Sequence, residues 1–374
     1  MDACMNADAY RLQKEDEIPS PALVFYKDII EKNIQAAVKM AGGADRLWPH
    51  VKTHKCREVI QMQMKQGIRR FKCATIAEAE MTAQCHPDAI LLAYPLVGPN
   101  IGRFLALIKK YHDVAFYAIG DDLAQLKLLS EAAHNFHTQV RVLLDVNLGM
   151  NRTGASYDKL DALYRRANEL DGLEMCGLHC YDGHRSEAYD LRVQKVEESL
   201  KPIHALVENW RKDGLDANIL VMGGTPSFPC HAAYADVYLS PGTLVLMDAG
   251  YQKKYPELDY TPGAAVMTRV ISHPGEGIFT LDLGYKGIAA DPAGSRGVLL
   301  GIDNAEVLFQ SEEHWTWQMK PGHENERPVI GSVQYVIPTH ICPTVALYAY
   351  ANIAQNGRVT DQWEIAGRDR CINV

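Results

Sequence analysis

The chain contains 374 residues, carries a formal net charge of −8, and is 47% hydrophobic by residue type. This length exceeds one ordinary hydrophobic core, so it predicts a large domain accompanied by a smaller one. The acidic balance excludes the basic surface of a nucleic-acid-binding protein, and the lack of any apolar run of about 18 residues excludes a membrane helix, so we expect neither partner.

The N-terminus and the cysteines indicate the compartment. The first 17 residues are polar and acidic, and they lack the basic and apolar regions of a secretory signal. The nine cysteines are odd in number and form no C-x-x-C pair, which predicts buried thiols instead of a disulfide framework. Both features predict a cytoplasmic protein.

Short β-rich runs then alternate with amphipathic helical stretches along the first two thirds of the chain. The predicted strands are Arg46–Val51, Arg70–Ala74, Ala89–Ala93, Asp113–Ala118, Gln139–Val146, Leu173–His179, Asn218–Met222 and Asp236–Leu239. The predicted helices between them include Ile76–Cys85, Ile101–Tyr111, Asp122–Ala133, Tyr157–Leu170 and Leu191–Asp213. This repetition predicts an α/β fold, a parallel (β/α)8 barrel of the TIM type.

The pattern changes after about residue 250, where helical periodicity nearly disappears. The runs that predict strands there are Ala264–Ser272, Gly277–Leu283, Val298–Leu300, Ala305–Gln310 and Ser332–Pro338. A further strand, Pro21–Tyr26, precedes the first predicted barrel helix, Asp28–Met40, and we expect the N-terminal segment to join this second domain. We therefore assign residues 22–250 to the barrel, and residues 1–21 with 251–374 to a mainly antiparallel β-domain.

Lys52 directly follows the first predicted barrel strand. Catalytic residues of (β/α)8 barrels lie beyond the C-terminal ends of the strands. An amine in such an apolar run is partly desolvated, which lowers its pKa and frees it for imine formation. Lys55, three residues later, is the alternative candidate for this role. The other interpretation is that Lys52 is an ordinary surface lysine.

Two glycine-containing loops indicate a phosphate site. Gly223, Gly224 and Thr225 follow the seventh predicted strand, and Ser240, Gly242 and Thr243 follow the eighth. Barrels of this type commonly bind phosphate at these two loops, where backbone N–H groups and hydroxyls converge. Ordinary glycine turns are the alternative for each loop taken alone.

His340 and Cys342 form a candidate metal pair. Residues i and i+2 of a strand face the same side, so both side chains would reach one ion. A thiolate with an imidazole favours zinc over magnesium or manganese. A buried thiol beside an unrelated histidine is the other interpretation of this motif.

Taken in order, these segments resemble a known family. They are Pro21–Leu23, PHVKTHK at 49–55, GMNRTG at 149–154, YDGH at 181–184, GGTP at 223–226, SPGT at 240–243, EEH at 312–314 and PTHICPT at 338–344. The set is similar to the fold-type III pyridoxal-phosphate (PLP) enzymes, more closely to the D-threonine aldolase and D-serine dehydratase group, whose N-terminal barrel is alanine racemase-like.

The resemblance implies a role for each cofactor residue. Lys52 would carry PLP as a Schiff base, and Arg152 would hydrogen-bond the phenolic oxygen of the cofactor. Tyr181 would lie near the cofactor ring or the substrate. The residues around the phosphate would be Gly223, Gly224, Thr225, Ser240, Gly242 and Thr243. The family also implies a homodimer.

The resemblance further implies a reaction on a small D-amino acid. The dehydratases pair His-x-Cys with zinc, whereas the aldolases typically pair His-x-Asp with manganese or another divalent ion. Cys342 therefore favours a D-serine dehydratase, with Lys52 removing the α-proton and the metal assisting loss of the β-hydroxyl. A D-threonine or D-3-hydroxy-amino-acid aldolase is the alternative. An amino acid racemase and a non-catalytic PLP-binding protein are more distant ones. The roles of His50, His54 and His314 stay open.

Overall fold

The computed structural model describes residues 6–374, which form two compact units. The barrel unit comprises residues 35–52, 56–242 and 369–374, and the β-unit comprises residues 6–34, 53–55 and 243–368. Within residues 6–374, no helix is both long and apolar enough to cross a lipid bilayer.

Helices and strands alternate through the first two thirds of the chain, and strands predominate after them. The elements up to residue 239 are β1 (Ala22–Tyr26), α1 (Lys27–Ala41), α2 (Arg57–Lys65), β2 (Arg70–Cys73), α3 (Ile76–Ala83), β3 (Ala89–Leu92), α4 (Pro99–Lys110), β4 (Ala115–Gly120), α5 (Leu123–Asn135), β5 (Val140–Asp145), α6 (Tyr157–Asn168), β6 (Leu173–Cys180), α7 (Tyr189–Lys212), β7 (Ile219–Met222), α8 (Phe228–Ala232) and β8 (Tyr238–Leu239). The later elements are α9 (Ala249–Lys254), β9 (Ala264–Ser272), β10 (Ile278–Leu281), β11 (Gly297–Leu299), β12 (Ala305–Gln310), β13 (Trp315–Met319), β14 (Val333–Pro338), α10 (Ile341–Ala346), β15 (Tyr350–Gln355) and β16 (Arg358–Glu364).

The barrel unit contains a parallel sheet whose strands pair in the order in which the chain visits them, from β2 to β8. Every neighbouring pair is parallel, because helices on the outside return the chain to the same end of the sheet. The predicted alanine racemase-like α/β barrel is confirmed. The predicted strands from Arg70 onward all appear, with shifts of a few residues at their ends.

The first predicted strand, Arg46–Val51, is wrong as a regular strand. Leu47 forms a single parallel bridge with Leu239 of β8, and His50 forms one with Lys72 of β2. Pro49 lies between the two bridges and has no N–H group, so a continuous ladder is impossible there. The segment nevertheless hydrogen-bonds both edge strands, since the Trp48 N–H donates to Leu239 O at 2.8 Å and the Lys72 N–H donates to Pro49 O at 2.8 Å. It thereby closes the sheet into a barrel.

A β-bulge in β6 decides which of its side chains face the barrel interior. The register with β5 shifts by one residue between Val142, which pairs with Met175, and Leu143, which pairs with Gly177. Cys176 packs in the interior core with Leu143, and His179, three positions later, lines an interior cavity. Strict alternation would place these two on opposite faces, so the extra residue brings His179 and then Tyr181 inward.

The β-unit is one mainly antiparallel sheet, as predicted. Its main path runs β12-β13-β10-β9-β1-β15-β16, and β14 pairs with both β9 and β11. The N-terminal strand β1 joins it between β9 and β15. The sequence predicted β9 and β12 with their observed ends, but it missed β13, β15, β16 and the short helix α10.

Gly177 should be irreplaceable in this fold. Its φ is +146°, and a Cβ there would come within 1.9 Å of the Ile219 carbonyl oxygen. We expect Gly177→Ala to lower the free energy of unfolding by about 3 kcal/mol or more, measured by urea denaturation.

Gly214 provides the matched control. Its φ is also positive, at +79°, but an added Cβ would meet no atom within 4 Å. Gly214→Ala should therefore cost only about 1 kcal/mol, the strain of the backbone conformation alone. Equal losses in the two variants would show that the close approach to Ile219 is unimportant.

Candidate active site

The barrel unit contains a cavity that brings several predicted residues together. Its polar wall consists of His50, Lys52, Lys72, Asp145, Asn147, Arg152, Thr153, His179 and Tyr181. Three of the sequence-predicted residues, Lys52, Arg152 and Tyr181, are among them. Lys52 lies in a 3-10 turn, Val51–Thr53, that directly follows the barrel-closing segment.

Arg152 and Tyr181 contact each other on the cavity wall. The guanidinium carbon of Arg152, in the loop after β5, lies 5.0 Å from the centre of the Tyr181 ring, which is a cation–π distance. Gly224 leaves room for the ring, since a Cβ at Gly224 would come within 2.9 Å of Tyr181 Cε2. Gly224, the second glycine of the loop after β7, therefore helps to position the Tyr181 ring.

Lys72 is a cavity residue that the sequence analysis missed. Its side chain comes from β2 and is 1% exposed, and its Nζ lies 3.5 Å from His179 Nε2. His179 Nδ1 lies 2.7 Å from Asp145 Oδ1. Burial, together with the positive charge of Lys52, lowers the pKa of Lys72 to about 7. The sequence does contain a signal for a buried lysine. Lys72 lies between Phe71 and Cys73 in a short strand of a predicted parallel sheet, and such strands are buried on both faces.

Three backbone donors of the predicted phosphate loops are engaged within the barrel unit. The Gly223 N–H donates to the Cys180 carbonyl, the Gly224 N–H to Ser227 Oγ, and the Gly242 N–H to Thr225 Oγ1. These loops do not line the cavity of Lys52. To bind the N–H groups of Gly224 and Gly242, a phosphate would therefore have to replace the hydroxyl oxygens of Ser227 and Thr225 as their acceptors.

A buried carboxylate supports the loop after β7. Asp182 accepts hydrogen bonds from Ser227 and, at 2.8 Å, from His231 Nε2. Burial raises the pKa of Asp182, but the positive charge of His231 and these hydrogen bonds outweigh it and hold the pKa below 3.8. Ser227 in turn accepts the Gly224 N–H, so the carboxylate fixes the loop through one hydroxyl.

The candidate metal pair lies in the β-unit, but not on a strand as predicted. β14 ends at Pro338, His340 is the N-cap of α10, and Cys342 lies in the first turn of that helix. The strand geometry was therefore wrong, although the two side chains do converge. They hydrogen-bond each other, because the chain turns sharply between cap and helix.

Asp291 holds the other side of His340. Its Oδ2 lies 2.5 Å from His340 Nδ1, so the carboxylate accepts the Nδ1 proton and leaves Nε2 as the nitrogen that can bind a metal. Burial lowers the pKa of His340, but the Cys342 and Asp291 contacts outweigh burial and raise it to about 9.

Two threonine hydroxyls flank the thiol. Thr53 Oγ1 lies 3.2 Å and Thr243 Oγ1 3.6 Å from Cys342 Sγ. Thr243, predicted at the phosphate, therefore lies beside the predicted metal residue. Among residues 6–374, no group of three or more His, Cys, Asp or Glu side chains is arranged to hold a metal ion.

The remaining histidines differ in their surroundings. His50 lines the cavity, and His54 is fully buried in the β-unit. His314 is exposed, and its main-chain carbonyl accepts the Ser311 N–H to close a turn.

Two known domain families match the chain. The family described as "Alanine racemase, N-terminal domain" matches residues 27–249. The family described as "Putative serine dehydratase domain" matches residues 263–354.

Curated relatives match over nearly the whole chain. The D-threonine aldolase of Arthrobacter sp. is 29% identical, over 94% of this chain and 93% of the relative. The 3-hydroxy-D-aspartate aldolase of Paracoccus denitrificans strain Pd 1222 is 23% identical, over 95% and 94%. The D-serine dehydratase of Dictyostelium discoideum is 21% identical, over 91% and 94%.

Solved structures share the architecture. The D-threonine aldolase from Filomicrobium marinum superposes with a TM-score of 0.86 and is 25% identical, covering 97% of this chain and 99% of that protein. A histidine-to-alanine mutant of D-threo-3-hydroxyaspartate dehydratase superposes with a TM-score of 0.84 and is 19% identical, covering 94% and 96%. A cysteine-to-alanine mutant of the same dehydratase, with the exchange two positions later, is described as metal-free.

The buried Asp182–His231 pair should make stability depend on pH. The pKa of Asp182 is below its ordinary value, so its contribution is complete above that value and is lost as the pH falls through the folded pKa. We expect Asp182→Asn to lower the free energy of unfolding by about 1–3 kcal/mol at pH 7. The difference from wild type should shrink at pH 4 and below, as about half or more of the carboxyl group becomes protonated in the unfolded chain. Urea denaturation at several pH values measures this.

An exposed pair of the same type serves as the control. His86 Nδ1 and Asp113 Oδ2 lie 2.7 Å apart, but their side chains are 65% and 48% exposed. Asp113→Asn should leave the urea midpoint unchanged at every pH. A difference between wild type and Asp182→Asn that stays constant with pH would contradict an ionised Asp182.

Proposed function

Since this chain belongs to the alanine racemase N-terminal-domain family, and within it to the PLP-dependent lyases of the D-serine dehydratase and D-threonine aldolase type, we propose that it is a zinc-dependent D-serine dehydratase. The proposed reaction converts D-serine to pyruvate and ammonia. The observation that carries the choice of reaction is Cys342 beside His340, a donor pair suited to zinc.

Three residues of the barrel-unit cavity support a PLP site. Lys52 provides the primary amine that holds the cofactor, Arg152 provides a cation for its phenolic oxygen, and Tyr181 provides an aromatic wall. Bound PLP acts as an electron sink for the charge left when the α-proton is removed. Once released from the cofactor, the Lys52 amine is the base we assign to that proton transfer.

The phosphate loops fit with one change of partners. Gly224 and Gly242 donate to the hydroxyls of Ser227 and Thr225. A phosphate oxygen is a stronger acceptor than a hydroxyl, so it would take over these two N–H groups, while the Ser227 hydroxyl keeps its hydrogen bond to Asp182. Ser240 donates its hydroxyl proton to the Trp48 carbonyl, and we assign it to support of the loop after β8.

The metal would bind through His340 Nε2 and Cys342 Sγ. Asp291 holds Nδ1 of the imidazole, so Nε2 is the nitrogen that would bind the metal, an arrangement usual for metal-binding histidines. Two protein donors leave open positions of a tetrahedral zinc site to water and substrate. Related dehydratase structures also single out a histidine and a cysteine two positions apart, the second in a metal-free mutant, which agrees with this pair.

A D-3-hydroxy-amino-acid aldolase is the second candidate. The observation that favours it is the 29% identity to a D-threonine aldolase over 94% of the chain, above the 21% identity to a D-serine dehydratase. A metal site of this kind also suits an aldolase, because a Lewis acid lowers the pKa of a β-hydroxyl group and assists cleavage of the neighbouring C–C bond.

The lysine that carries the cofactor can be identified directly. We expect borohydride reduction of the PLP-loaded protein, followed by peptide mass spectrometry, to find the cofactor on Lys52. Lys52→Ala should lose the absorbance of the bound cofactor and at least about 1000-fold in activity, because attachment and proton transfer are both removed. Lys55→Ala, the neighbouring control, should retain both. Cofactor found on Lys55 or Lys72 would reject the assignment.

Product analysis separates the two reactions. We expect the zinc-loaded protein to release pyruvate from D-serine, to lose this activity with a chelator, and to regain it when zinc is added. Aldehyde and glycine from D-threonine, without pyruvate from D-serine, would establish the aldolase instead.

Variants of the metal pair complete this test. Cys342→Ala should abolish tight zinc binding in the apoprotein, and Asp291→Asn should weaken it about 10–100-fold through loss of the His340 orientation. Cys371→Ala, an exposed thiol, is the control and should bind zinc normally. Unchanged zinc affinity in Cys342→Ala would place the metal elsewhere.

A further inference from the structure

Lys72 is a second amine in the cavity, and the proposed attachment of the cofactor to Lys52 leaves it without a role. Its backbone is fixed beside the barrel-closing segment, through the bridge to His50 and the hydrogen bond to Pro49. Its side chain is 1% exposed and reaches the cavity that Lys52 also lines. Burying a lysine amine is costly, so a buried lysine in a cavity calls for a specific partner.

The partners of Lys72 form a hydrogen-bond chain with one direction. The carboxylate of Asp145 is an acceptor only, so His179 donates its Nδ1 proton across the 2.7 Å contact. Neutral His179 then has only a lone pair at Nε2, and the Lys72 amine must donate to it across 3.5 Å. The lone pair of a neutral Lys72 is therefore not used by His179 and stays available to the cavity.

We propose that Lys72 is a second acid–base residue of the cavity, held in place by His179 and Asp145. The proposal rests on the cavity being the lyase site proposed above. In the step we assign to it, the lone pair of Nζ forms an N–H bond with a substrate proton. The bond to that proton breaks with its electron pair left on the substrate. The reverse step returns the proton, so the amine ends unchanged.

The surrounding charges allow both forms of the amine near neutral pH. The charged and titratable groups that face it are Lys52 and Arg152, which disfavour the ammonium form, Asp145 and Asp182, which favour it, and His179, which accepts its hydrogen bond. The Tyr181 ring lies 5.4 Å from Nζ. Burial and these charges together give a pKa of about 7, the range in which an acid–base group works best at neutral pH.

Kinetics of Lys72 variants test the role. Lys72→Met removes the amine with little change of shape, and we expect it to lower kcat by about 100-fold or more while the absorbance of bound cofactor persists. The acid limb of the kcat/KM profile near pH 7 should disappear. Lys72→Arg keeps a cation that does not deprotonate, so it should not restore activity. Lys127→Met, on the exposed face of α5, is the matched control and should behave as wild type.

Chemical rescue distinguishes a missing amine from a damaged site. Lys72→Ala should regain activity when methylamine is added, in proportion to the neutral fraction of the amine. A wild-type rate and pH profile in Lys72→Met, in a preparation whose wild type is active, would overturn the proposal. So would a Lys72→Ala variant that binds cofactor and gains nothing from methylamine.

A titration without cofactor gives a readout independent of turnover. In apoprotein labelled with ¹³C at lysine Cε, the resonance missing from Lys72→Arg identifies Lys72. Its midpoint should lie near pH 7, and His179→Gln should move it. An ordinary lysine midpoint, about pH 10.4, would overturn the proposal. If neither D-serine nor D-threonine is turned over by wild type, the proposed function fails, whereas this titration still tests the amine by itself.

Discussion

The closure of the parallel sheet by residues 47–50 is the constraint on which the candidate site depends. Backbone hydrogen bonds from this segment reach β8 on one side and β2 on the other, although Pro49 prevents a regular strand between them. Closure of the sheet fixes the point where the turn with Lys52 begins. It also places Lys72 in the wall of the same cavity. A primary amine on a loop would sample many positions, whereas here its backbone is anchored at both edges of a sheet.

Around that closure, the polar residues are arranged as supports for one another. Asp145 fixes the His179 ring, His179 accepts from Lys72, and Asp182 fixes the loop of Gly224 through Ser227. In the β-unit, Asp291 does the same for His340. Each carboxylate determines which nitrogen of its histidine is free. Hydrogen-bond direction, and not only proximity, therefore shapes what each site can bind.

The fold could be predicted from the sequence because a repeated strand–helix pattern stays recognisable when one element is assigned wrongly. Eight alternating units predicted a barrel even though one of the strands, Arg46–Val51, is interrupted by Pro49. The place after the first predicted strand indicated Lys52, and the family resemblance indicated Arg152 and Tyr181; all three line the same cavity. Sequence reasoning missed the role of Lys72, because a lysine within a strand gives no sign of whether it points into the barrel. It also placed His340 and Cys342 on a strand, because α10 has only six residues, one of them Pro343, and carries too little periodicity to reveal a helix.

The bulge at Gly177 affects how the lining of this cavity can change during evolution. The single extra residue determines which of the later side chains face the interior. His179 in β6 and Tyr181 directly after it therefore face inward together. Regular pairing through this point, with every residue kept, would present Leu178 and Cys180 to the interior instead, and would turn the imidazole and the phenol outward together. Point substitutions alter such a cavity one group at a time. A change from bulged to regular pairing in this strand would instead exchange both polar side chains in a single event, with the rest of the barrel unchanged.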